Sequence, residues 1–161
     1  MIQRIQTVYL LLVVILSFVC LISSVGYFTC VDETVATFSN FSFSAQGIFA
    51  NYESAGPFAL GILLILVILL SLMSIMLYMH RMRQLRLTII SNILLFGYAV
   101  TYCAFTYFYK ENLQLIAPAA ELVYHLRFAT VLPVVCFILN CLAIHGIRKD
   151  EALIRSLDRL R

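Results

Sequence analysis

The sequence predicts an all-α polytopic membrane protein, a four-transmembrane-helix antiparallel bundle, on three observations. Of 161 residues, 63 % are hydrophobic and 12 % charged, whereas soluble domains are about half apolar and about a quarter charged. The apolar residues gather into four long runs, and the mean hydropathy is +0.98. Taking those runs as spans puts nine of the eleven Lys and Arg on one side. This composition excludes a soluble globule, a disordered chain and a disulfide-rich secreted scaffold. The length suits one membrane domain, residues 1–161, without a separate catalytic module.

The first span is read at 5–28, after Arg4. A secretory signal has an apolar core of only about 7–15 residues, so this longer run reads as an uncleaved helix. The second, 57–79, carries no charge, and Pro57 suits a first helical turn, where its missing N–H costs nothing. The third, 87–109, is also uncharged and is aromatic in its second half: Phe96, Tyr98, Tyr102, Phe105, Tyr107, Phe108 and Tyr109. Aromatic side chains collect where membrane meets water. The fourth, 119–147, starts behind Pro118 and carries Glu121, His125 and Arg127 near its outer end. Pro133 inside it is expected to bend it, and the end is expected near His145-Gly146.

With both termini inside, the inner side holds Arg4, Arg81, Arg83, Arg86, Arg148, Lys149, Arg155, Arg159 and Arg161, and the outer side only Lys110 and Arg127. That bias follows the positive-inside rule. The same clustering beside spans argues against a nucleic-acid partner. The outer loop, 29–56, is expected to hold a β segment, with Phe41 and Phe43 at strand spacing, and it contains the triplet Asn40-Phe41-Ser42, which matches a glycosylation acceptor. The cytoplasmic tail, 148–161, places Leu153, Leu157 and Leu160 on one helical stripe opposite Arg155 and Arg159. This pattern fits a helix lying on the membrane or docking a partner.

Candidate chemistry is sparse. No Cys-x-x-Cys pair occurs among the five cysteines, and the three histidines are scattered, so no cofactor or metal is expected. Glu121 and His125 are four residues apart, one turn on a helix. With Arg127, Tyr102 and Tyr109 they form the candidate ligand-binding cluster at the outer end. The other reading of that cluster is a polar network that sets helix depth. Asn92 and Asn140 are expected to make hydrogen bonds between helices.

The opening Met1-Ile2-Gln3-Arg4-Ile5-Gln6-Thr7-Val8-Tyr9-Leu10-Leu11-Leu12 and the close, from Asp150-Glu151-Ala152-Leu153 to Leu160-Arg161, resemble an uncharacterised four-span inner-membrane family of Bacteroidota, domain of unknown function family 4293. The resemblance implies a bacterial inner membrane and cytoplasmic termini, and it brings no catalytic residues with it. Arg4, Arg155, Arg159 and Arg161 in its terminal signatures suit contact with phospholipid or a shared protein partner. Arg81, Arg83, Arg86 and the tail leucines are candidates for the same contacts. The expected function is a non-catalytic accessory or assembly subunit of a membrane complex, or a homo-oligomer. The alternative is a small carrier, channel or lipid- or quinone-binding enzyme using the aromatic outer end.

Overall fold

The computed structural model describes residues 2–30, 33–46, 49, 56–77, 81–116, 118 and 122–158. Four helices make up the bundle: α1 (Ile2–Ile22), α2 (Phe58–Met76), α3 (Arg81–Ile116) and α4 (Leu132–Asp158). α1 packs on α2 and α4, and α3 packs on the same two, so the four enclose a central seam. Three stretches, Phe58–Met76, Arg81–Ile116 and Phe128–Ala152, are long and apolar enough to cross a membrane. Gln6–Ile22 of α1 forms a shorter apolar helix. The protein is therefore a multi-pass membrane protein. Leu, Ile, Val and Met cover the outward faces, as in Ile62, Leu69 and Met73 of α2, because lipid is the solvent there.

The all-α expectation needs correction, since a four-stranded antiparallel sheet caps one end of the bundle. Its strands are β1 (Ser24–Cys30), β2 (Glu33–Ser39), β3 (Phe43–Ala45) and β4 (Leu122–Leu126), in the order β3-β2-β1-β4. The first span does not run to residue 28. It stops at Ile22, and the apolar residues beyond it are β1. Ser23, Ser24 and Gly26 favour helix poorly, whereas Val25, Tyr27, Phe28 and Thr29 suit a strand. The outer loop supplies β2 and β3 as well, more sheet than one β segment.

The fourth helix does not begin at Ala119. Leu122–Leu126 forms β4 and pairs with β1, Tyr27 opposite His125 and Cys30 opposite Leu122. A 3-10 turn, Phe128–Val131, then leads into α4. Pro133 thus falls at the second residue of α4, where the missing N–H breaks no helical bond, so it bends nothing. The helix also passes through His145-Gly146 without a break and continues to Asp158. Gly146 is used for close approach: a Cβ there would stand 3.0 Å from Cγ of Gln6. As far as Asp158, the tail is a continuation of α4.

α3 is longer than its predicted span. Its 36 residues extend about 54 Å at 1.5 Å per residue, against about 30 Å of hydrocarbon. It begins at Arg81, so Arg81, Arg83 and Arg86 occupy its first two turns, not a loop. Its buried stripe is Gln84, Thr88, Ser91, Leu95, Tyr98, Tyr102, Tyr109 and Leu113. The polar lower part faces α2, where Ser74 and Thr88 hydroxyls lie 3.0 Å apart and Ser71 and Ser91 3.4 Å apart. The expected amide bonds between helices are present: Asn140 Nδ2 donates to Ser91 Oγ at 3.3 Å and Asn92 Nδ2 to Cys141 Sγ at 3.5 Å. The aromatic upper part supports the sheet.

Candidate functional site

The outer end is built in two layers. Beneath the sheet, Phe28 and Phe38 are fully buried in one apolar cluster with Tyr102 and Tyr109 of α3. Phe38 lies 5.9 Å from Tyr102 and 5.5 Å from Tyr109 between ring centroids, and Phe43 stacks on Tyr109 at 4.2 Å. Such contacts add about 0.5–1.5 kcal/mol each beyond the burial itself. Cross-strand alternation explains the layer, because residues two apart on a strand share one face.

Polar atoms inside this layer bond to one another. Asn40, fully buried, donates from Nδ2 to the Cys20 carbonyl at 2.6 Å and accepts at Oδ1 from the Tyr98 hydroxyl at 2.8 Å. It thereby joins the loop after β2 to the end of α1 and the middle of α3. Phe41 next to it packs on Gly61 of α2, where a Cβ would collide with the ring. The Tyr102 and Tyr124 hydroxyls lie 2.5 Å apart. Gly26 on β1 leaves the space that the Tyr124 ring fills. Burial, and then the hydrogen bond with Tyr102, hold the Tyr124 phenol well above its ordinary pKa, so it stays neutral.

The predicted cluster is divided by the sheet. Tyr102 and Tyr109 lie beneath it, buried. His125 and Arg127 are exposed and lie on its outward side. His125 stacks on Tyr27 with centroids 5.1 Å apart, and its Nε2 is 3.0 Å from Thr29 Oγ1. The Arg127 guanidinium lies 5.3 Å from the Tyr27 ring centroid and donates to Ser24 Oγ. The helical Glu121–His125 pairing is corrected, because β4 replaces that helix; Glu121 itself lies outside the described residues. A strand row, Ser44–Thr37–Tyr27–His125, crosses all four strands.

The inner-end candidates are only partly described. Arg81 is half-buried, and Arg83 and Arg86 sit on the same early turns of α3. The side chains of Arg4, Leu153, Arg155 and Leu157 lie outside the described residues, as do Arg159, Leu160 and His80. The structure adds a contact there that the sequence reading did not contain: Gln6 Nε2 donates to Oδ2 of Asp150, itself 6 % exposed, at 2.7 Å. Asn40, Cys20 and Gly26 were also absent from the sequence-derived cluster. The one signal that could have found them is the asparagine and glycine placed between strand-forming residues.

A cavity of about 340 Å³ opens between α3 and α4. Leu95, Phe96, Ala99 and Cys103 form one wall, Thr130, Pro133, Val134 and Phe137 the other, and Tyr98 and Tyr102 the floor. Among the described residues, no three His, Cys, Asp or Glu gather where they could hold a metal ion. Each described cysteine is a free thiol.

A comparison with curated proteins gave no match. The family described as Domain of unknown function (DUF4293) matches residues 2–160, nearly the whole length, and the chain belongs to that family.

Proposed function

We propose that the protein is a non-catalytic accessory or assembly subunit of a bacterial inner-membrane complex, in the membranes of Bacteroidota. In this reading all four helices span the bilayer and both termini are cytoplasmic, which the nine-to-two division of Lys and Arg supports. The observation that carries it is the filled, internally bonded aromatic layer beneath the sheet. Phenols and an amide of the kind that bind substrates instead hold one another, which makes the outer end a rigid platform. Its outward row, Ser44, Thr37, Tyr27 and His125, is the surface left for a partner.

Purification in a gentle detergent, with co-purifying proteins identified by mass spectrometry, tests this reading. Thr37→Arg and His125→Glu change the outward face without touching the buried layer. Selective loss of one co-purifying protein from these variants is the expected result. An identical set from wild type and variants at matched abundance overturns it. One observation favours the second reading, a small carrier, channel or lipid- or quinone-binding enzyme: the cavity between α3 and α4.

A further inference from the structure

We propose that the groove between α3 and α4 is a phospholipid site, with one acyl chain in the cavity and the phosphodiester on Arg127. Two observations meet here. The groove is cut into the flank of two membrane-spanning helices, and its mouth is bordered by exposed Phe96, Val134 and Phe137. What faces such a mouth is lipid hydrocarbon. Its volume, about 340 Å³, is at the small end of the roughly 300–1,000 Å³ typical of ligand cavities, which suits a single unbranched chain.

A chain already in lipid gains no hydrophobic free energy by entering an apolar groove. Selectivity must therefore come from packing against the walls and from a headgroup contact. Arg127 supplies the contact. Its N–H and the Thr130 hydroxyl both donate to the Val25 carbonyl, at 3.1 and 2.6 Å, and the Thr130 N–H donates to the Arg127 carbonyl at 3.0 Å. Thr130 lines the groove, so the Arg127 backbone stands at the groove's sheet end. One guanidinium N–H is held by Ser24 Oγ and the group lies over the Tyr27 ring, but it is exposed and its remaining N–H donors form a fork that matches phosphate oxygens. Leu126 and Phe128 on either side are 67 % and 80 % exposed, an apolar–cation–apolar order suited to the boundary between headgroups and acyl chains. This site needs only the membrane and does not rest on the accessory-subunit reading.

The test uses the full chain in vesicles of dioleoylphosphatidylcholine containing a trace of phosphatidylglycerol with a diazirine in one acyl chain. After irradiation, adducts are mapped by peptide mass spectrometry. Adducts should concentrate on the segments bearing Phe96, Cys103 and Phe137. Unlabelled dioleoylphosphatidylglycerol should compete, whereas dioleoylglycerol (no phosphate) and inorganic phosphate (no chain) should not. Arg127→Gln should lower the adduct yield about tenfold, the loss of a charge-assisted contact. Ala99→Trp, at an exposed position on the groove wall, should abolish the adducts, and Val100→Trp, exposed but outside the groove, should leave them unchanged. Adducts spread evenly over all lipid-facing helix surfaces overturn the proposal, as does a yield indifferent to Ala99→Trp. Competition by inorganic phosphate alone reduces Arg127 to an anion contact and overturns it too.

Discussion

At the scale of single residues, Asn40 does the most with the fewest atoms. Its amide joins three segments, and removing it leaves both the Tyr98 hydroxyl and the Cys20 carbonyl buried without that partner. Asn40→Leu should therefore lower stability in detergent by about 2 kcal/mol, within the range for orphaned buried polar groups, as read from a thermal or denaturant melt. The same burial closes the Asn40-Phe41-Ser42 triplet to modification in the folded protein. Tyr124 yields a pH prediction. Its folded pKa is raised by burial, so its share of stability is present below the ordinary tyrosine value of about 10 and is lost as pH rises beyond it. Tyr124→Phe should flatten the alkaline fall in stability between about pH 9 and 11, even though it costs stability at neutral pH through the lost Tyr102 bond. An alkaline slope identical to wild type refutes this.

At the scale of elements, a buried hydrogen bond from Gln6 to Asp150, 2.7 Å long, ties the ends of α1 and α4. Gly146 makes room for it. Gln6→Leu removes the donor from a buried carboxylate and should destabilise the α1–α4 pairing by about 1–3 kcal/mol. Adding Asp150→Leu removes the orphaned acceptor as well and should recover most of that loss, because a pair of apolar side chains asks for no partner. A double variant no more stable than Gln6→Leu would rule this account out. α3 shows how one helix serves two media. Along its buried stripe the side chains change from Thr88 and Ser91, which bond across to α2, to Tyr98, Tyr102 and Tyr109, which support the sheet.

At the scale of the whole molecule, orientation is the prediction to test, and the structure selects where to place the labels. Gln84, within the basic cluster, is 4 % exposed and would be a poor reporter. Arg83 and Ser44 are exposed. In a background without native cysteines, a Cys at position 83 should react only with membrane-permeant maleimide, and one at 44 with an impermeant reagent in spheroplasts. Labelling of position 83 from outside overturns the inside location of the basic cluster. A Cys at 156 should behave like that at 83 if four helices cross. Opposite behaviour of these two positions means an odd number of crossings between them.

Hydropathy and charge alone determined that the chain is a multi-pass membrane protein, and where its four helices lie in order. These properties are local sums, and lipid enforces them residue by residue. The aromatic crowding from Phe96 to Tyr109 was visible as well. Its division into buried Tyr98, Tyr102 and Tyr109 and exposed Phe96, Tyr107 and Phe108 follows from which side of α3 meets the sheet. That sheet could only be decided by tertiary structure. Val25–Cys30 and Leu122–Leu126 are as apolar as a helix end, and they become strands because each completes the other's backbone hydrogen bonds across nearly a hundred residues of chain. A hydropathy window cannot register a partner so far away. For the same reason the sequence placed His125 and Tyr102 in one cluster, while pairing of β4 with β1 puts a sheet between them.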